Sequence, residues 1–144
     1  MALVALAIAC LAGILMAVQG VLNSGLGRVA GLLKATLAVH AGGLAVIAPV
    51  VLLYARRAPG KLAGAAWFYY LGGPLGVGIV YFVAASIGKV GACPATTAII
   101  TGQVLTAAAL DHFGVLGLQR VPFHPVRLLG VAFLSLGAWI LLKK

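Results

Sequence analysis

Long uncharged runs separated by short basic turns leave this chain few ways to fold. Ala2 to Leu22 carries no charge and one polar amide, Gln19. Comparable runs cover 35–54, 65–87, 92–110 and 127–142. At ~1.5 Å per residue, such a run matches the roughly 30 Å hydrocarbon core of a bilayer. Hydrophobic residues make up 64% of the sequence and charged ones 8%, against about 25% charged in soluble domains. With a mean hydropathy of +1.21, the chain cannot clothe itself for water, and its solvent is expected to be the lipid bilayer. The expected fold is an all-α integral membrane protein, a single domain over residues 1–144 with five transmembrane helices.

Ten Lys and Arg against one acidic residue give a net charge of +9. On a soluble protein that would suggest nucleic acid, which requires a clustered basic face. Here the basic residues stand singly, in pairs or in short groups between spans, as topology signals and interfacial anchors do. Nucleic acid is therefore not an expected partner. Cys10 and Cys93 form no CxxC pair and are expected to be buried spectators. Ala7-Ile8-Ala9 before Cys10 faintly resembles a lipoprotein cleavage box, but a basic n-region is missing, so the first segment is expected to be retained.

In chain order, Gln19 and Asn23 lie four apart on one helix face. They either bond to neighbouring helices or contact cargo. Asn23 to Lys34, with three glycines and two basic residues, reads as an interfacial turn or short in-plane helix, and Gly27 and Gly31 form a GxxxG pair. The second span carries His40 and Pro49, the latter able to kink it. The basic turn Ala55–Gly64 leads to an aromatic belt, Trp67 to Tyr70, and then to a third span with five glycines or prolines between Gly72 and Gly78. Such density permits close backbone approach or a locally broken helix. Tyr81 and Ser86 are its polar members. The short turn Gly88–Gly91 should make spans three and four antiparallel neighbours.

Span four opens with Pro94 in its first turn, where a missing donor costs nothing. Thr96 and Gln103 share one face, Thr97 and Thr101 an adjacent one. The run TGQVLTAAALDHFG, Thr101 to Gly114, holds Asp111, the sole acidic side chain, beside His112. A carboxylate at a helix C-terminus opposes the macrodipole, so its placement needs another cause. An ion pair with Arg120, Arg127 or a histidine is one reading; proton or cation coupling is the other. Val115 to Pro125 reads as a connection.

Five spans put the termini on opposite faces. One face carries Arg28, Lys34, Lys89, Lys143 and Lys144; the other carries Arg56, Arg57, Lys61, Arg120 and Arg127. The five-to-five balance gives no instruction about orientation. Copies inserted both ways could pair as an inverted-repeat transporter, with a central site drawn from Gln19, Asn23, His40, Tyr81 and Gln103 of each copy.

The segments GILMAVQGVLNSGLG (Gly13–Gly27), GGPLG (Gly72–Gly76), TGQ…LDHFG and HPVRLLGVAFLSLGAWILL (His124–Leu142) resemble the YdcZ-like family of the drug/metabolite transporter superfamily. The resemblance spans nearly the whole chain. It implies a multi-pass half-transporter of the bacterial inner membrane, since larger superfamily members look like two such units fused in opposite orientations. It also implies that Gln19 and Asn23 match a first-helix polar motif, and Gln103, Asp111 and His112 a fourth-helix one. The small multidrug pumps of that superfamily rely on a first-helix glutamate, and this chain has none. Their proton-for-cation exchange therefore does not carry over.

The function expected is secondary transport or export of a small organic metabolite by alternating access. An antiparallel homodimer, or a heterodimer with a paralogue, would do this. Gln19, Asn23, His40, Tyr81 and Gln103 would bind cargo, with Asp111 and His112 coupling or gating. With so little acid, the cargo should be neutral, zwitterionic or anionic. The alternative is a non-transporting subunit that packs with a partner half-transporter or has a structural or lipid role. An intramembrane hydrolase would need a nucleophile beside a base, and Ser86 with a histidine has no motif context. No enzyme activity, cofactor or metal is expected.

Overall fold

The computed structural model describes residues 2–54, 64–122 and 125–142. The described residues form five α-helices and no strand: α1 Ala2–Ala30, α2 Leu32–Tyr54, α3 Gly72–Val90, α4 Ala92–Phe113 and α5 Pro125–Leu142. A 3-10 turn, Trp67–Leu71, leads directly into α3. Four of these spans, counting the turn with α3, are long and apolar enough to cross a membrane, and α5 is a shorter apolar helix. The protein is an all-α membrane protein of five helices. The basic turn at 55–63, His124, the Arg127 side chain and the two terminal lysines lie outside the described residues.

The sequence 23–34 departs from expectation. It is not an interfacial turn: α1 runs on through Asn23 and Ser24 to Ala30, and α2 begins at Leu32. Only Gly31 separates the two, at φ 85°, a backbone region that costs glycine little and other residues much. Asn23 and Ser24 stay helical because they are buried, at 6% and 3% exposure. Tertiary packing here overrides their preference for turns. Similarly, the glycine-rich stretch 72–78 is unbroken helix. Pro74 falls in its first turn, where no intrahelical donor is lost. Helix α2 continues through Pro49, although proline removes the donor that would bond to Ala45.

The chain divides into two compact units, Met1–Lys89 and Val90–Lys144. Within the first, α1 packs on α2, and α1 also meets α3. A Cβ placed on Gly20 would lie 2.8 Å from Cδ1 of Ile87 and 3.0 Å from Cγ1 of Val83, and one on Gly88 would lie 3.3 Å from Oγ of Ser24. The buried residues are small: Gly20, Asn23 and Ser24 of α1, Ala35 and Thr36 of α2, and Ala84 of α3. Lipid tails are as apolar as leucine, so helices associate through close van der Waals approach, which small residues allow. Within the second unit, α4 packs on α5, with Ala95 and Ala138 buried.

Large apolar side chains such as Leu3, Leu44, Phe82 and Phe133 are exposed, the inverse of a water-soluble protein. Cys10 and Cys93 are exposed too, not buried as expected. Slender helices in so small a chain present most of their circumference to their surroundings. In the aromatic turn, the Trp67 and Phe68 rings meet edge to face at 6.2 Å, and Phe68 and Tyr69 lie 4.4 Å apart.

Candidate functional site

In the first unit, two polar residues one turn apart on α2 are linked through the backbone. Thr36 is 6% exposed, and its hydroxyl donates to the Leu32 carbonyl at 2.8 Å. One turn on, Nδ1 of His40 lies 2.8 Å from the Thr36 carbonyl oxygen. A carbonyl only accepts, so this bond puts the proton on Nδ1. In the neutral ring Nε2 then carries a lone pair. Nε2 points toward α3, where a Cβ on Gly76 would lie 4.0 Å away.

Beside this pair, α2 and α3 flank an open groove of about 390 Å³. Leu33, Thr36, Leu37 and His40 line it from α2, and Val77, Gly78, Tyr81 and Phe82 from α3. The walls are almost wholly hydrocarbon and ring; His40 and Tyr81, both half-buried, contribute to them mainly through their carbon atoms. Tyr81 meets Phe82 edge to face at 5.7 Å. Of the residues singled out in the sequence, the structure brings His40 and Tyr81 together here. Asn23 is buried and does not line the groove. Gln19 is exposed, although Asn23 four residues away is not, because the buried face of α1 is centred on Gly20 and Ser24.

Sequence reading passed over Thr36, Phe82 and the aliphatic walls. Their signal was present as spacing: Leu33 with Leu37 and Thr36 with His40 repeat at four, and Gly78, Tyr81 and Phe82 fall at three and four.

The second unit holds Gln103, Asp111 and His112, all on α4. Gln103 is exposed near the middle of the helix, while Asp111 and His112 are half-buried in its last turn. The threonine stripe is satisfied locally: Thr97 donates to Cys93 O at 2.8 Å and Thr101 to Thr97 O at 2.9 Å.

The helix end is closed by the segment that follows. Gly114, left-handed at φ 61°, donates to Leu110 O. Val121 N–H donates to Asp111 O at 2.8 Å, and Nε of Arg120 to His112 O at 3.2 Å. Three consecutive carbonyls, which an α-helix leaves unpaired at its end, thus gain donors. The Arg120 cation also sits where the macrodipole is negative. The His112 and Phe113 rings meet edge to face at 5.1 Å. Among the described residues, no three His, Cys, Asp or Glu side chains converge as a metal site would require.

A family model described as "Putative inner membrane exporter, YdcZ" matches residues 4–140. No curated protein matches the chain. No solved structure matches it either.

Proposed function

The chain belongs to the YdcZ family of inner membrane exporters, and from that premise we propose that it exports a small organic metabolite by alternating access, as an antiparallel pair of copies. The observation that carries the reading is the exposure of two amides, Gln19 and Gln103, near the middle of membrane-spanning helices. A polar group in the hydrocarbon is costly and usually faces a bundle interior or a watery cavity. A second copy laid against either face would turn its exposed amide into the lining of a path. The partner is a second copy of this chain or a paralogue.

The balance of basic residues, five on each face, supports opposed insertion of the two copies. Gln19, Asn23, His40, Tyr81 and Gln103 contribute hydrogen bonds along the path. Asp111 and His112 brace or gate it from the end of α4. The absence of any glutamate, with one aspartate, favours a neutral, zwitterionic or anionic cargo.

Currents on solid-supported membranes, or uptake into liposomes, across a panel of metabolites test the proposal. A cargo-dependent signal that saturates is expected. Silence across neutral, zwitterionic and anionic classes contradicts it. The satisfied polar contacts at Thr36, Thr97 and Thr101 favour a second reading, in which polar residues serve helix packing and the chain is a non-transporting subunit.

A further inference from the structure

We infer that the end of the first unit where α1 passes into α2 and α3 finishes holds the headgroup of an anionic phospholipid. Arg28, Lys34 and Lys89 contact its phosphate, and one acyl chain lies in the groove between α2 and α3. The inference concerns binding alone and does not rest on transport.

The fold gathers these cations from separate parts of the chain. Arg28 is in the last turn of α1 and Lys34 in the first turn of α2, with Gly31 alone between the helices. Ser24 of α1 meets α3 at Gly88, where a Cβ would lie 3.3 Å from the serine Oγ. Arg28 follows that contact by one turn, and Lys89 by one residue. All three basic residues are exposed, and the unit Met1–Lys89 contains no Asp or Glu to neutralise them. Arg28 and Lys89 stand at helix C-termini, which favour a cation, but Lys34 stands at a helix N-terminus, which does not. A phosphate at this end is attracted by the lysine and by the α2 dipole together.

The groove supplies the other half of the match. Leu33 and Leu37 line it from α2, and Gly78 and Phe82 from α3. Lys34 precedes Leu37 by three residues, which makes them neighbours on the helix surface. Lys89 follows Phe82 by seven, two turns along the same face. From Leu33 the groove descends to His40, about 10 Å of helix, with almost wholly apolar walls. An anion at the membrane surface with a hydrocarbon tail below it is what a phospholipid such as phosphatidylglycerol presents. Basic residues at helix ends reach headgroups and attract anionic lipids. A zwitterionic lipid would leave the three cations uncompensated, and a free phosphate would leave the groove unfilled.

Native mass spectrometry of the protein in detergent, which counts bound lipids, tests this. Dioleoyl phosphatidylglycerol is compared with dioleoyl phosphatidylcholine, which carries the same chains on a zwitterionic headgroup. The first phosphatidylglycerol should bind at least about tenfold more tightly. Arg28→Gln, Lys34→Gln and Lys89→Gln should each weaken it about fivefold, while Lys34→Arg retains it. Arg56→Gln, which removes the same charge just beyond Tyr54 at the other end of α2, should leave it unchanged. Gly78→Leu should weaken both lipids, since its Cβ starts 3.7 Å from Cε2 of Phe82 and the side chain fills the groove. sn-Glycerol 3-phosphate at equal concentration should displace neither lipid. Equal affinity for the two lipids, or a loss in Arg56→Gln matching that in Lys34→Gln, would reduce the effect to net charge and overturn the inference. Unchanged binding in Gly78→Leu, or displacement by glycerol phosphate, would overturn it as well.

Discussion

Arg120 reaches back from the segment after α4 to donate, from Nε, to the main-chain carbonyl of His112 at 3.2 Å. The contact holds a permanent cation at the negative end of a helix that also carries Asp111, the one acidic side chain in the sequence. It depends on Gly114, where a Cβ would lie 2.9 Å from Cβ and 3.1 Å from Cα of Arg120.

Removing the cap should therefore be costly in two graded ways. Arg120→Met loses one charge-assisted hydrogen bond and the dipole interaction, about 1 kcal/mol. Gly114→Ala adds left-handed strain and a clash with backbone, about 1–3 kcal/mol. Thermal unfolding of the detergent-solubilised variants, followed by circular dichroism, should rank Gly114→Ala below Arg120→Met and both below wild type. Equal stability of all three would remove the cap from the account.

At Gly20 the neighbours are side-chain ends of Ile87 and Val83, at 2.8 and 3.0 Å from an added Cβ. Gly20→Ala should be tolerated after small rotamer shifts, whereas Gly20→Leu should push α1 off α3 at about 1–3 kcal/mol. Gly13→Leu, with nothing within 4 Å of its Cβ, is the control. The same unfolding assay should show a loss for Gly20→Leu and none for Gly13→Leu.

These contacts also mark what could be read from the sequence. The five apolar spans and the place of Pro94 in a first turn followed from length, composition and proline chemistry. Asn23-Ser24-Gly25 looked like a turn because these residues favour turns in isolation. What keeps them helical is burial within the first unit, and sequence spacing does not reveal which helix will cover them. Gln19 and Asn23 share a face by spacing, yet one is exposed and the other buried, because the boundary of the contact runs between them. His40 was visible as a polar residue in a span. Its bond to Thr36 and its place opposite Gly76 needed the fold. For Gln19, Asn23, His40, Tyr81 and Gln103 the sequence makes hydrogen-bonding capacity legible, while what each side chain bonds is set by the packing around it.

Gln103 separates transport from packing. If it lines a path between copies, Gln103→Ala should leave the dimer intact by cross-linking while lowering cargo uptake in liposomes at least about tenfold, the order expected when one hydrogen bond is removed from a binding site. Dissociation of the dimer with no separate effect on uptake would assign it to packing.

Orientation should respond to charge. Arg56→Ala with Arg57→Ala takes one face from five basic residues to three, leaving five on the other. The richer face, which bears Lys143 and Lys144, should then become cytoplasmic in most molecules. Unchanged topology in this double variant, read by a reporter fused at the C-terminus, would argue against charge balance as the cause of opposed insertion.

The most direct measurement places a single cysteine at either end of a chain in which Cys10 and Cys93 are alanine, and labels intact cells with a membrane-impermeant maleimide. Opposed insertion predicts that each end is labelled from outside in about half the molecules. Complete labelling of one end and none of the other, in every molecule, would contradict it.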